Sequence, residues 1–195
     1  MQQSSLASKI YAVVLLLVGL GVFAIRFQHA GPYSMPTWGP MLGALGCLIL
    51  GGVLLWSAKP KLLAWIALLL SPLALLPALF SIGGEAEEVI SVFANNQEQQ
   101  VADLRLWIVD REDGAWVGLG RGKALEHNLN GVQAEMLRSG QLSCVIPTLH
   151  DDRATVESIH GMKVEKYVVA QMSGALGLYP LEATNSMVAV RLDPC

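Results

Sequence analysis

The segment with the clearest chemical potential is Gly120–Arg121–Gly122–Lys123, in the C-terminal half of the chain. Two glycines let the backbone approach a ligand closely, and a helix predicted to begin at Lys123 would offer free N–H groups in its first turn. Arg121 and Lys123 add positive charge that suits a phosphate group. The residues therefore allow an anion-binding loop, and they would also suit a solvated turn before a helix.

A second set of candidate residues lies later in the chain. Lys166 and Tyr167 lie three and four residues after Lys163, which places both on the same face of a predicted helix as Lys163. They could hold an anionic ligand or face solvent. Trp116, on a predicted strand paired with the strand of Trp107, could pack in the core or stack on a flat aromatic ring.

The histidines give no metal signal. His127, His150 and His160 lie far apart in the sequence, without the short spacing that metal ligands on one element share. We therefore expect scattered surface histidines and no metal site.

Two cysteines occur in the C-terminal half. Cys144 alternates with Leu142 and Ile146, so we expect its side chain to face the core of the domain. Cys195 ends the sequence without a prenylation motif. A disulfide between Cys144 and Cys195 would fit a domain outside the cytoplasm.

The N-terminal half is built differently. All sixteen Asp and Glu residues follow Gly84, and a carboxylate in hydrocarbon costs several kcal/mol. Three apolar runs each have about the 17–25 residues needed to cross a bilayer: Ile10–Phe27, Trp38–Ala58 and Leu62–Ile82. Residues 1–84 are therefore predicted to form a multi-pass α-helical membrane anchor of three helices. Small residues in the second run suit close helix contact: Gly43, Gly46, Gly51 and Gly52.

The flanking charges predict an orientation. Lys9, Lys59 and Lys61 share one side of the predicted anchor, whereas Arg26 and the acidic residues at 85–88 lie on the other. Lysines favour the cytoplasmic side. The expectation is a cell inner (cytoplasmic) membrane protein whose C-terminal domain lies outside the cytoplasm.

Residues 85–195 are predicted to form a water-soluble part. Nine basic side chains against sixteen acidic ones leave a net charge of about −7. Such a surface argues against nucleic acid as a partner, because nucleic-acid phosphates require a basic footprint. The length suffices for one modest core.

The sequence patterns of this part predict an α+β domain with the order ββαββαβ. Residues 85–101 read as a short amphipathic helix, Glu85–Asn95, and a polar linker. Apolar alternation and turn glycines then indicate strands at 104–110, 115–119, 132–138, 142–148 and 186–192. Helices are predicted at 123–130 and from Asp151 or Asp152 to about Met172. The set suggests a small β-barrel over residues 102–195 with helical covers.

These motifs, in this order, resemble a known superfamily. LRLWIVDREDGAWVGLGRGKALEHNL, then a hairpin, a helix with KVEKY and a terminal VAVRLDP are similar to the split β-barrel flavin-binding proteins. The nearest likeness is to the deazaflavin (F420)-dependent nitroreductase branch, over residues 102–194. The resemblance implies a split β-barrel, often a homodimer, that binds FMN or F420.

The resemblance also implies an activity: transfer of a hydride or electrons to quinones or nitro compounds. The anchor would suit a membrane quinone as partner, beside the lipid bilayer itself. The cofactor-binding residues would be Gly120, Arg121, Gly122, Lys123, Trp116, Lys163, Lys166 and Tyr167. However, Glu126 lies inside the short helix, where a carboxylate would repel a phosphate. The alternative is a non-catalytic split barrel that has lost its cofactor and serves binding or assembly.

Overall fold

The computed structural model describes residues 6–29, 38–56 and 60–195. The chain divides into two compact units, one of N-terminal helices and one that contains Gly84–Cys195.

Three helices form at the three apolar runs: α1 (Leu6–His29), α2 (Trp38–Leu55) and α3 (Lys61–Ala86). By length and composition, α1 and α3 could cross a membrane, whereas the apolar part of α2 within the described residues, Pro40–Leu55, is shorter. The prediction of three membrane spans is therefore corrected to two candidates. The reason is length, because the 16 residues of Pro40–Leu55 at about 1.5 Å each reach about 24 Å of a roughly 30 Å core. Ala58 and Lys59, used in the predictions, lie outside the described residues.

Glycines bring these helices together. A β-carbon at Gly43, Gly46 or Gly51 would lie only 2.8–3.0 Å from an atom of a neighbouring helix. The prediction of close contact is confirmed for these three and wrong for Gly52, which has no other atom within 4 Å of that position. Sequence reasoning missed Gly19, where a β-carbon would lie 2.8 Å from a carbonyl oxygen of α2.

The second unit is a closed antiparallel barrel of six strands. They close in the order β1-β2-β3-β6-β5-β4. The strands are β1 (Val89–Asn95), β2 (Val101–Arg111), β3 (Gly114–Gly120), β4 (Ala134–Arg138), β5 (Gln141–His150) and β6 (Met187–Pro194). Three helices accompany them: α4 (Arg121–Glu126), α5 (Arg153–Lys166) and α6 (Val168–Ala175). The prediction of a barrel-type α+β domain is confirmed, and the arrangement is consistent with a split barrel.

The predicted helix Glu85–Asn95 is wrong. Helix α3 continues to Ala86, and the residues after Glu88 form strand β1. Ile90, Val92 and Ala94 alternate into the barrel interior, while β2 and β4 pair with the two edges of the strand. Because these partners are distant in sequence, the local pattern did not reveal them. The observed order is βββαββααβ.

The predicted helix from Asp152 to Met172 is two helices. Asp152 caps α5 as expected, its side chain accepting a hydrogen bond from the Thr155 N–H. Tyr167 then takes an extended conformation, with φ −102° and ψ 114°, and α6 begins at Val168. Helix α4 begins at Arg121 and ends at Glu126, rather than covering 123–130.

The prediction that Cys144 faces the core is also wrong. Val145 is buried, whereas Leu142 and Ile146 are exposed, so Cys144 lies on the outer face of β5. Alternation fixes which residues share a face but not which face is inside. Cys144 forms a disulfide with Cys195, so the hypothesised bond is present.

Two apolar clusters hold the barrel unit. The first fills the interior and includes the alternating β2 residues Leu104, Leu106 and Ile108. The second lies outside the barrel wall, beneath α5 and α6. Its buried members are Val109, Trp116, Val156, Ile159, Tyr167, Ala170, Ala183 and Ala189.

Candidate functional site

The eight predicted cofactor-binding residues fall into two places in the structure. Gly120, Arg121, Gly122 and Lys123 lie where β3 passes into α4. The other four lie on the outer side of the barrel wall: Trp116, Lys163, Lys166 and Tyr167.

The β3–α4 junction leaves space but offers a paired cation. No other atom lies within 4 Å of a β-carbon built at Gly120 or Gly122. The Arg121 guanidinium donates from Nη1 to Asp151 Oδ2 at 3.1 Å, and its backbone N–H donates to the Ser186 carbonyl at 2.7 Å. A phosphate at this junction would have to compete with the Asp151 carboxylate for Arg121.

Lys163 is buried rather than free to meet a ligand. Its side chain reaches the barrel wall, where Nζ donates to the Gly118 carbonyl at 3.0 Å. Nζ also lies 5.7 Å from the centre of the Tyr179 ring. Burial lowers the pKa of Lys163 to about 8, because a charged amine is poorly solvated there. The expectation that Lys163 contacts either a ligand or solvent is not met.

Tyr167 has a structural position at the break between α5 and α6. Its hydroxyl donates to the Ile108 carbonyl at 2.6 Å and accepts from the Ile108 N–H at 2.8 Å. The Glu88 carbonyl lies 2.9 Å from the same oxygen. The ring stacks on Trp107 with centroids 4.8 Å apart. Burial raises the pKa of Tyr167 to about 12.

Lys166 belongs to a charge network. Nζ donates to the Ile108 carbonyl at 2.8 Å and forms an ion pair with Glu88. Arg138 donates to the same Glu88 carboxylate. Its Nη1 and Nη2 also donate to the two carboxylate oxygens of Asp110, at 2.6 and 2.7 Å. The hydrogen bond from Lys166 lowers the pKa of Glu88, and that from Arg138 lowers the pKa of Asp110. Each cation of the network is therefore already neutralised.

Trp116 is enclosed by protein. The indole Nε1 donates to Asp113 Oδ1 at 2.8 Å, and the ring packs against His150 with centroids 4.9 Å apart. The guanidinium carbons of Arg111 and Arg191 lie 5.2 and 5.8 Å from the ring centre. With 2% of its surface exposed, Trp116 is not available to stack on a cofactor ring.

Sequence reasoning missed a pair of stacked rings nearby. His160 and Tyr179 stack with centroids 5.7 Å apart, and His160 Nε2 lies 2.9 Å from the Pro180 carbonyl. Within the described residues, His160 Nδ1 and the Tyr179 hydroxyl are buried without a hydrogen-bond partner. Burial is the main cause that lowers the pKa of His160. His127 is buried as well, so two of the three histidines are not the surface residues that were expected.

These residues do not fit the predicted flavin or deazaflavin site. Such a cofactor needs free cationic groups for its phosphate and an open aromatic or apolar face for its ring. The charges of Arg121 and Lys166 are already paired with the carboxylates of Asp151 and Glu88. The Trp116 ring is enclosed by protein and its indole N–H is bonded to Asp113. A local pattern shows that Lys or Tyr occurs at helical spacing, but it does not show which carbonyl or carboxylate the folded chain brings to it.

The comparisons with known proteins give distant likenesses in structure. No family model matches the chain, and no curated protein matches it. HutZ, the heme storage protein from Vibrio cholerae, is 12% identical, with 60% of this chain and 88% of that chain covered and a TM-score of 0.39. A pyridoxamine 5′-phosphate oxidase-like protein from Listeria innocua is 14% identical, with 62% and 93% covered and a TM-score of 0.39. ChuZ from Campylobacter jejuni is 9% identical, with 70% and 63% covered and a TM-score of 0.42.

At these identities and TM-scores the likenesses assign no ligand and no activity to this chain. The deazaflavin-dependent nitroreductase branch stays a prediction. What the chain itself establishes is a closed six-stranded antiparallel barrel, covered on its outer side by α5 and α6, with a set of candidate residues bonded into the fold.

Proposed function

We propose that the chain is a membrane-anchored barrel protein whose soluble domain serves binding or assembly and does not hold a flavin at the predicted residues. Helices α1 and α3 would provide the anchor, because both are long and apolar enough to cross a membrane.

One observation carries this proposal: Tyr167 and Lys166 are both bonded to Ile108 of β2. A ligand that recruited either side chain would have to break a buried contact to the Ile108 carbonyl, at 2.6 Å from Tyr167 and 2.8 Å from Lys166. Leaving a buried polar group unpaired costs about 1–3 kcal/mol. These residues therefore support the fold, and a cofactor site built from them would oppose it.

The test is the visible spectrum of the purified full-length protein in detergent, followed by titration. The probes are FMN and F420, which the family resemblance implies, and hemin, the ligand class named for HutZ. A colourless protein that binds none of the three at micromolar concentration is the expected result. Stoichiometric uptake of FMN or F420 would overturn the proposal.

A second candidate, a flavin- or F420-dependent oxidoreductase acting on a membrane quinone, is favoured by the open space at Gly120 and Gly122. In that case Arg121 would leave Asp151 and bind the cofactor phosphate through a charged hydrogen bond. Arg121→Ala should then weaken cofactor binding by roughly 10- to 150-fold, since such bonds contribute about 1.5–3 kcal/mol. Lys123→Ala should have a smaller effect of the same sign.

Arg153→Ala is the matched control for that candidate. Arg153 is also at the first position of a helix and also pairs with a carboxylate, that of Glu157. Its loss should leave cofactor affinity unchanged. If the parent protein takes up no cofactor, this second candidate is excluded and the binding module is retained.

A further inference from the structure

The surface of α6 and the segment that follows it is unusually apolar. Residues 167–181 contain no charged side chain, although the barrel unit is otherwise rich in charge. Five large apolar side chains in this stretch are half or more exposed: Val168 58%, Met172 57%, Leu176 55%, Leu178 56% and Leu181 50%. Val168, Met172 and Leu176 lie at intervals of four, so they form one stripe along the helix. We call these five residues the α6 stripe.

The α6 stripe lies on the outward side of α6 and of the segment after it, and the opposite side of the helix is already packed against the barrel unit. On its other side, Ala170 and Ser173 are buried, and Ala170 belongs to the cluster beneath α5 and α6. Leu181 also packs closely on Gly174, so the segment after α6 folds back against the helix. The exposed side chains are therefore not an unfilled part of the core. Contiguous apolar patches of this kind mark a surface that contacts a partner or a membrane.

The start of α6 is fixed to the residues that follow α3. The Val169 N–H donates to the Glu87 carboxylate at 3.0 Å, and the Tyr167 hydroxyl lies 2.9 Å from the Glu88 carbonyl. Glu87 is the first residue after α3, which ends at Ala86. If α3 crosses the membrane, Glu87 lies five residues, or about 7.5 Å of helix, beyond the end of the apolar run at Ile82. The first turn of α6 is therefore hydrogen-bonded to a residue close to the edge of the hydrocarbon.

We propose that the α6 stripe lies in the bilayer interface, with the boundary between headgroups and acyl chains as its partner. This inference rests on the anchor in the proposed function. An amphipathic helix in this position buries its apolar face about 5–10 Å into the boundary. The stripe carries no basic residue and the barrel unit has a net charge of about −7, so the contact is apolar and does not need anionic lipid.

The experiment places a nitroxide label at Met172→Cys in the full-length protein, in nanodiscs of phosphatidylcholine. Collision rates with oxygen, which concentrates in the bilayer, and with a water-soluble nickel chelate give the depth of the label. The native cysteines should not compete, because Cys47 is buried and the other two are disulfide-bonded. We expect the Met172→Cys label to be several-fold more accessible to oxygen than to the nickel chelate. Val168→Cys should give the same result.

Leu125→Cys is the matched control. Leu125 is also on a helix and also about half exposed, at 53%. Helix α4 lies near the C-terminal end of β1, since the N–H of Gln97, just after that strand, donates to the Glu126 carbonyl at 3.2 Å. That end is about 20 Å from Glu88 along a seven-residue strand, at roughly 3.3 Å per residue. A label there should be accessible to the nickel chelate.

Two outcomes would overturn the inference. The first is equal nickel accessibility at Met172 and Leu125. The second is spin–spin broadening, or a disulfide between two chains, at Met172→Cys, which would identify a homodimer as the occupant of the stripe. Alkaline carbonate extraction of the same membranes separates this failure from that of the proposed function. If the protein stays in the membrane, only the stripe assignment fails; if it is released, the anchor fails too.

Discussion

The Tyr167 hydroxyl bonds both backbone polar groups of Ile108, donating to its carbonyl at 2.6 Å and accepting from its N–H at 2.8 Å. The ladder between β1 and β2 ends at the pair Val89–Trp107, so the next rung would join Glu88 to Ile108. The hydroxyl occupies the place of that rung and also lies 2.9 Å from the Glu88 carbonyl. A side chain at the α5–α6 break therefore completes the sheet where the strand stops.

Tyr167→Phe tests this relationship. The change keeps the ring that stacks on Trp107 and removes the acceptor of the Ile108 N–H, whereas the Ile108 carbonyl keeps the hydrogen bond from Lys166. We expect a loss of about 1–3 kcal/mol in the free energy of unfolding, because a buried polar group that loses its partner costs this much. Thermal unfolding in detergent, followed by near-UV circular dichroism, would measure it.

Tyr179→Phe is the control. The Tyr179 hydroxyl is buried without a hydrogen-bond partner among the described residues, so its removal should be neutral or slightly stabilising. Equal losses of stability in the two variants would contradict the bridging role of Tyr167.

Lys163 should make the stability of the barrel depend on pH in the alkaline range. Its pKa is about 8 in the folded protein against an ordinary 10.5, since burial disfavours the charged form. Between these values the unfolded chain holds a proton that the folded chain has released, so stability rises as pH increases. Burying the charged amine therefore lowers the free energy of unfolding by about 3 kcal/mol below pH 8, and this loss diminishes as pH rises above 8.

Lys163→Met would remove that dependence. We expect the variant to be more stable than the parent near pH 7, and the gap to shrink as pH rises toward 9.5. Urea unfolding at several pH values would measure the gap. Measurements should stop below pH 10, because the buried Tyr167 and Tyr179, each with a pKa raised to about 12, favour the unfolded state above that pH. A gap that is constant with pH would show that Lys163 stays charged in the folded protein.

The elements that sequence analysis predicted are those with local signals. Gly114, at φ 132°, and the pair Ser139–Gly140, at φ 50° and 78°, mark the turns of the β2–β3 and β4–β5 hairpins. Asp152 likewise marks the start of α5, because its side chain caps the first turn of the helix. Each of these signals lies within four residues of the structure it specifies.

The features that sequence analysis missed depend on distant partners. Strand β1 is a strand because β2 and β4 border it, and its six residues after Val89 would also suit a short helix. The inward face of β5 is Val145 rather than Cys144, which the alternation alone does not decide. For the candidate site, the residue types were suited to an anion, but Asp151 and Glu88 arrive from elsewhere in the chain to neutralise Arg121 and Lys166.

Adjacent glycines in α2 offer a sharp test of helix packing. A β-carbon at Gly51 would lie 3.0 Å from the Ala12 carbonyl oxygen, whereas Gly52 has free space. In a helix, Gly→Ala normally stabilises by about 1 kcal/mol. We expect Gly52→Ala to be neutral or stabilising and Gly51→Ala to lower the thermal stability of the detergent-solubilised protein. If both variants behave alike, the α1–α2 contact at Gly51 is not as close as described.

The Cys144–Cys195 disulfide should stabilise the barrel and report on the side of the membrane. It closes a loop of 51 residues, and the chain-entropy relation gives about 4 kcal/mol for a loop of that size. The double variant Cys144→Ser/Cys195→Ser should therefore melt well below the parent, and dithiothreitol should lower the melting temperature of the parent to the same value.

The same disulfide reports on the side of the membrane. Because such bonds persist outside the cytoplasm, the two cysteines should resist maleimide in intact cells until they are reduced. A C-terminal alkaline phosphatase fusion should then be active and a green fluorescent protein fusion dark. Free thiols at Cys144 and Cys195 with a fluorescent fusion would instead place the barrel in the cytoplasm and reverse the orientation predicted from Lys9 and Lys61.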